Sequence, residues 1–203
     1  MTKKLIVLIS IALLFTNCAY LGRCVEGNCK NGTGTWGYLN GSKYVGEWKG
    51  YKLNGNGTLY INAGKWEGCK YVGEWKNNRM SGEGIFYYSD SSRYEGSFRK
   101  HKLNGLGTYY YGSGRYKGSK YIGQFENNKT CGDGKFYYVN GNFYSGTWKN
   151  SLKHGYGELI LINGAKYIGK FKKNKFHGNG TFTYPSGKII KAKWKNNKPV
   201  KRY

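Results

Sequence analysis

The sequence predicts an all-β protein, an elongated single-layer array of stacked β-hairpins built from 23-residue repeats, with six full units and partial units at the ends. Three observations predict it. A tyrosine, a glycine two places on and an aromatic ring four places on recur at Tyr44-Gly46-Trp48, Tyr71-Gly73-Trp75, Tyr94-Gly96-Phe98, Tyr121-Gly123-Phe125, Tyr144-Gly146-Trp148 and Tyr167-Gly169-Phe171. A glycine pair stands eleven and thirteen residues after each of these tyrosines, from Gly55/Gly57 to Gly178/Gly180. Within each unit side chains alternate in character on period two, as in a strand with one buried face.

From the N-terminus, residues 1–17 form a leader: Lys3 and Lys4, then an apolar run from Leu5 to Phe15 broken only by Ser10. That run is shorter than the about 20 residues a membrane-spanning helix needs, and its charge-then-apolar order is that of a secretory signal. Cys18 follows where cleavage is expected, and the segment resembles the lipobox of bacterial lipoproteins, with Phe15 and Asn17 in places usually held by leucine and a small residue. The resemblance implies a Cys18 that is acylated and becomes the first mature residue. Residues 18–29 then read as a tether and a cysteine-containing cap, 30–197 as the array, and 198–203 as a basic tail.

Within the array the starting tyrosines are separated by 27, 23, 27, 23 and 23 residues, so four extra residues precede Tyr71 and Tyr121. Each unit reads as a first strand such as Tyr71–Trp75, a polar turn (Lys76-Asn-Asn-Arg79) and a second strand carrying the glycine pair and a run such as Ile85–Tyr88. A half unit, Gly32-Thr-Gly34-Thr-Trp36, precedes the first tyrosine, and a degenerate seventh has Ile190, Ala192 and Trp194. A lone hairpin is marginal, so the units are expected to stack edge to edge with their rings in columns. About thirteen strands at ~4.8 Å each give an array on the order of 60 Å long.

The repeat resembles the MORN (membrane occupation and recognition nexus) repeat, Y-x-G-x-W followed by G-x-G. Departures are few: Phe98, Phe125 and Phe171 replace the tryptophan, and Ser91 stands where other units have Gly64, Gly114, Gly141, Gly164 and Gly187. The resemblance implies an elongated β structure used for protein contacts, with phospholipid binding also claimed for the family, and it implies no catalytic residues.

Four cysteines follow Cys18. In an exported protein Cys24 and Cys29 are expected to form a disulfide clamping the first edge, whereas Cys69 and Cys131, two units apart, are not expected to bond to each other. His154 and His177 hold equivalent places in adjacent hairpins, ~10 Å apart, and read as solvated turn residues rather than ligands of one metal. No Ser-His-Asp order, carboxylate pair or phosphate loop can be assembled. The chain therefore reads as non-catalytic, without cofactor or metal.

Charge carries more information. Lys and Arg number 34 against 10 Asp and Glu, a net charge of +24, or +22 once Lys3 and Lys4 leave with the leader. Solubility of a small domain needs only about 2–8. One column of cations just precedes the starting tyrosines (Lys43, Lys70, Arg93, Lys120 and Lys166), with Phe143 the exception. A second stands five residues into the units (Lys49, Lys76, Arg99, Lys149, Lys172 and also Lys195), with Glu126 interrupting. A column of tyrosines, Tyr60, Tyr87, Tyr110 and Tyr137, falls by parity on the face opposite the main aromatic one. Cations and half-exposed tyrosines together make a surface for an anionic ligand or partner.

The sequence thus points to an exported, lipid-anchored binding scaffold of the bacterial cell envelope, at the outer membrane or the periplasmic face, engaging a protein or an anionic polymer. The alternatives are a secreted protein and direct binding of anionic phospholipid head groups by the lysine ladders. Nucleic acid suits the charge but conflicts with export.

Overall fold

The computed structural model describes residues 21–202; the leader and Cys18 lie outside the described residues. Sixteen antiparallel strands form one open sheet in strict sequence order, each strand paired with the strands before and after it. β1 (Gly22–Gly27) and β2 (Asn31–Tyr38) open the sheet. The six units follow as β3 (Lys43–Lys49) with β4 (Lys52–Tyr60), β5 (Lys70–Lys76) with β6 (Arg79–Tyr87), and β7 (Arg93–Arg99) with β8 (Lys102–Tyr110). Then come β9 (Lys120–Glu126) with β10 (Lys129–Tyr137), β11 (Phe143–Lys149) with β12 (Leu152–Ile160), and β13 (Lys166–Lys172) with β14 (Lys175–Thr183). β15 (Ile189–Lys195) and β16 (Lys198–Arg202) close it.

Sixteen strands exceed the thirteen expected, because the array runs into both flanking segments. The half unit β2 would expose a row of unpaired backbone groups, and β1 covers that edge. Cys24 and Cys29 are disulfide-bonded across the β1–β2 connection, with Cα atoms 5.9 Å apart. At the other end Asn196-Asn197 makes the same reversal as in the full units, so the basic tail returns as β16 beside β15. Cys69 and Cys131 are both free thiols.

Each unit's hairpin closes through a two-residue turn. Asn77 and Asn78 have φ of 49° and 63°, as do their counterparts within a few degrees, which is the left-handed pair a type I′ turn requires and asparagine tolerates. The second strand then carries a bulge. Trp75 faces Met80, but two residues earlier Gly73 faces Gly84, so two extra residues are accommodated between Met80 and Gly84. Gly82, the first of its glycine pair, sits in the bulge at φ 57°. The Glu74 carboxylate caps it, accepting the Glu83 N–H at 2.9 Å.

The second glycine of the pair serves the core. Tyr71 lies across the cross-strand pair Gly73 and Gly84, and a methyl group on Gly84 would come within 2.5 Å of its hydroxyl oxygen. All six starting tyrosines are buried, and each donates its hydroxyl to the backbone carbonyl three residues on, as Tyr71 does to Glu74 at 3.0 Å. Burial holds their hydroxyls above the ordinary tyrosine range. Each ring makes edge contacts with the aromatic residue of its own unit and with that of the next. Tyr71 touches Trp75 at 5.2 Å and Phe98 at 5.0 Å, and the zigzag continues unbroken from Trp48 to Trp194. Such pairs contribute ~0.5–1.5 kcal/mol each beyond area burial and couple every unit to its neighbour. Where the ring is tryptophan it also donates its indole N–H to the preceding unit, as Trp75 does to the Gly57 carbonyl at 3.2 Å.

The two four-residue insertions form short 3-10 turns, Gly64–Trp66 and Gly114–Tyr116, that bring one more ring onto the aromatic face of the sheet. Trp66 packs on Phe86 at 6.2 Å and Tyr116 on Phe136 at 5.3 Å.

Candidate interaction surface

The face opposite the tyrosine–tryptophan zigzag is built from the odd members of the first strands, such as Lys43, Val45, Glu47 and Lys49. On it the structure merges two of the columns read from sequence. The bulge places Lys43 opposite Tyr60, and Tyr60 opposite Lys70 on its other side. One row therefore runs across the sheet as Lys43, Tyr60, Lys70, Tyr87, Arg93, Tyr110, Lys120 and Tyr137. Each cation lies over the ring that follows it. The charge-to-centroid distances are 5.1 Å for Lys43 on Tyr60, 4.4 Å for Lys70 on Tyr87, 4.2 Å for Arg93 on Tyr110 and 5.0 Å for Lys120 on Tyr137. Phe143 continues the row without charge, its ring tilted against that of Tyr137 at 5.0 Å, and Lys166 then faces Thr183. Cation–π contact at such partly exposed sites contributes ~0.5–1 kcal/mol per pair, so this row is largely satisfied within the chain.

The second cation column lies elsewhere, at the hairpin turns, six residues and ~20 Å along the strand from the first. There Lys49 faces Lys52, Lys76 faces Arg79, Arg99 faces Lys102, Lys172 faces Lys175 and Lys195 faces Lys198. Lys149 faces Leu152, and Glu126 faces Lys129. All the cations of this edge are exposed. Ion pairs do not neutralise it: among the described residues the two salt bridges are Arg93 with Glu95 at 2.7 Å and Lys166 with Glu158 at 3.5 Å, both away from the turns. Like charges directly opposite each other in a sheet are destabilising, and five hairpins of this edge, from Lys49–Lys52 to Lys195–Lys198, repeat the arrangement.

His154 and His177 are not turn residues, as sequence reading expects, but half-buried members of β12 and β14 at the bulge. The turns are only two residues long, Asn150-Ser151 and Lys173-Asn174, so both histidines already lie in the second strand. Among the described residues no group of His, Cys, Asp and Glu could hold a metal ion, and no helix is long and apolar enough to cross a membrane.

Sequence reasoning missed two features. From the second turn onward, the side chain of the second turn residue reaches into the preceding hairpin: Asn78 accepts the Leu53 N–H at 2.7 Å, and Asn174 accepts that of Lys153 at 2.8 Å. The other is a column nine residues after each starting tyrosine, Leu53, Met80, Leu103, Thr130, Lys153 and Phe176, in which Thr130 and Lys153 interrupt an apolar series. The repeat alignment contained that signal, but it surfaces only when every position, and not the motif alone, is read down the units.

The MORN repeat pattern matches this chain six times, over residues 44–65, 71–93, 94–114, 121–143, 144–166 and 167–189. A search of curated proteins gives no significant match. Among solved structures the chain is similar to the TCP domain of Drosophila melanogaster SAS-4 (dCPAP) in complex with a proline-rich motif of Ana2 (dSTIL), at 14% identity and a TM-score of 0.49, covering 86% of this chain and 90% of that one. It is also similar to the TCP10 domain of Danio rerio CPAP, at 9% identity and a TM-score of 0.32, covering 90% of this chain and 94% of that one.

Proposed function

Because the chain belongs to the MORN repeat family, we propose that it is a non-catalytic binding scaffold, exported and anchored through an acylated Cys18, that engages an acidic protein or anionic polymer of the bacterial cell envelope along its turn edge. The observation that carries this reading is the opposition of cation to cation in five of its hairpins, from Lys49–Lys52 to Lys195–Lys198. A sheet needs exposed charge to stay soluble, but charge of alternating sign would serve that end without the repulsion. An anionic chain laid along the edge relieves the repulsion of every hairpin it crosses and releases counterions. The row of Lys43, Lys70, Arg93 and Lys120 supports a secondary contact, since its tyrosines already hold those cations in place.

The test is association of the mature chain with polyglutamate and with phosphatidylglycerol vesicles as salt is raised. The edge reading expects tight polyglutamate binding that weakens steeply with salt. It expects at least a tenfold loss when Lys49, Lys76, Arg99 and Lys172 are each changed to Glu, and little loss when Lys43, Lys70 and Lys120 are changed to Gln. Preferred binding to the vesicles would move the assignment to lipid head groups. Indifference to the four turn-edge changes would end it. The anchor is tested separately by the intact mass of the protein from the membrane fraction, which is expected to begin at a diacyl or triacyl Cys18.

A further inference from the structure

The tyrosine–tryptophan face carries one place where the repeat is opened rather than filled. Nine residues after the starting tyrosine, Leu53, Met80 and Leu103 are fully buried apolar side chains. In the next two units the same place holds Thr130 and Lys153. The Thr130 hydroxyl is buried without a partner. Lys153 is half-buried, its ammonium 5.3 Å from the ring centre of Tyr138 and 5.0 Å from that of Tyr144. Neither of the ion pairs among the described residues involves it, and none of their hydrogen bonds uses its ammonium as a donor. Burial among these rings pushes its pKa down to about 8, so it is still mostly cationic at neutral pH.

Beside this ammonium a cleft of about 560 Å³ opens, walled by Tyr116, Phe136, Tyr138 and Trp148, with Arg115 also in its lining. That volume is in the range of small-ligand sites, ~300–1,000 Å³. No carboxylate lines it. The 3-10 turn Gly114–Tyr116 supplies Arg115 and Tyr116, the latter 5.3 Å from Phe136.

An internal comparison shows what is special here. The same framework occurs two units earlier: the 3-10 turn Gly64–Trp66, with Trp66 on Phe86 and Tyr88 behind it. There Met80 and Leu103 stand where this site has Thr130 and Lys153, and both are buried. One insertion is filled with apolar side chains; the other holds a cation facing an aromatic-walled cleft.

We propose that this cleft binds an aromatic carboxylate, with the carboxylate on the Lys153 ammonium and the ring among Tyr116, Phe136 and Tyr138. The charge count sets the class: one half-buried ammonium, with Arg115 exposed at the lining, suits a monoanion better than a phosphate. The ring walls select a flat apolar body, which stacks or packs edge-on against aromatic side chains. A partly desolvated cation gains more from an ion pair than an exposed one does. The ligand is either a free aromatic acid or the C-terminal residue of a partner chain ending in an aromatic side chain, which present the same chemistry.

The test is titration of the full mature chain with phenylacetate, phenylacetamide, and a short peptide ending in phenylalanine with a free or an amidated C-terminus, followed by calorimetry and ligand-observed NMR. Saturable binding of the acid at least tenfold tighter than the amide is expected. Tighter binding of the free-carboxylate peptide than of phenylacetate assigns the site to a chain terminus, and the reverse assigns it to a free acid. Lys153→Leu, the residue of the equivalent place at Leu103, is expected to abolish binding. Equal affinity for acid and amide on the unaltered protein, or no saturable binding of any carboxylate probe, overturns the proposal without recourse to a variant. The turn-edge variants that test the proposed function leave this binding unchanged, so the two readings fail separately.

Discussion

The side-chain oxygen of Asn78 accepts the backbone N–H of Leu53 at 2.7 Å, joining the turn of one hairpin to the second strand of the hairpin before it. The contact recurs with Asn128 on Leu103 at 2.8 Å, Asn174 on Lys153 at 2.8 Å and Asn197 on Phe176 at 2.7 Å. His101 and Ser151 fill the same role for Met80 and Thr130. One residue thus does two jobs: it adopts the left-handed conformation the turn needs and satisfies a bulge-side N–H that the sheet ladder leaves over. Asn78→Ala removes both. The lost hydrogen bond leaves a buried donor unpaired, and alanine at positive φ is strained, so a loss of about 2–3 kcal/mol is expected in chemical denaturation. A loss below about 0.5 kcal/mol would mean that the contact does not join the hairpins.

His101 gives this contact a pH dependence. Its Nδ1 accepts the Met80 N–H at 3.4 Å, which requires that nitrogen to be unprotonated. Burial, and secondarily the Arg79 charge, lower its pKa to about 4 from 6.5. The unfolded chain takes up a proton near 6.5 and the folded chain near 4, so the unfolded state binds more protons between those values. Stability is fully present above pH 6.5 and falls as pH drops from 6.5 to 4, with no further loss from this group below 4. Carboxylates titrate in part of the same range, so the measurement is the difference between the protein and His101→Asn, which restores the residue found at Asn78 and Asn128. The two are expected to diverge in denaturation midpoint as pH falls through that window; parallel curves would remove His101 as the cause.

Much of this architecture could be read from the chain and some of it could not, for a definite reason. The period and the glycine register follow from spacing alone, and the Cys24–Cys29 pair from its spacing together with the expectation of export, because each depends on residues near in sequence. The row of Lys43, Tyr60 and Lys70 depends on cross-strand register. Counting outward from the two-residue turn, Lys49 opposite Lys52, puts Lys43 against Thr58. The bulge at Gly55 adds two residues, and Lys43 meets Tyr60 instead. The first glycine of each pair signals that bulge but not its size, which is two residues in every unit whether a carboxylate caps it, as Glu47 caps the Asn56 N–H at 2.8 Å, or a serine stands there, as at Ser97. The end strands β1 and β16 were hidden differently: neither carries the motif, and they exist because an open edge beside them needs covering.

Glycine in this repeat is required for two separable reasons, and two substitutions distinguish them. Gly84→Ala places a methyl group within 2.5 Å of the Tyr71 hydroxyl oxygen and 2.7 Å of its ring. Tyr71 is fully buried and bonded to the Glu74 carbonyl, so it has no route outward. Overpacking of this kind costs about 1–3 kcal/mol, and more where nothing can move, so the upper end is expected. Gly64→Ala meets nothing within 4 Å, but its φ of 71° penalises any side chain, which limits the cost to about 1–2 kcal/mol. Denaturation midpoints of the pair order the two effects. A larger loss at Gly64 would show that the tyrosine column yields around Gly84 despite its close packing.

Ser91 provides the reverse experiment. It holds the place taken by glycine in the five other units and stays in the left-handed region, at φ 65° against 84° for Gly141, 84° for Gly164 and 82° for Gly187, the units without an insertion. The turn closes with the same hydrogen bond, the Ser91 N–H donating to the Tyr88 carbonyl at 3.2 Å as the Gly141 N–H does to that of Tyr138 at 3.0 Å. The serine therefore bears the strain without changing the shape. Ser91 is exposed, so removing its side chain exposes no cavity. Ser91→Gly relieves the left-handed penalty but raises the entropy of the unfolded chain, which offsets part of the gain. A net stabilisation of about 0.5–1 kcal/mol is expected, seen as a higher denaturant midpoint at unchanged slope. A fall in the midpoint would mean that the serine side chain holds this turn together, not merely that the turn tolerates it.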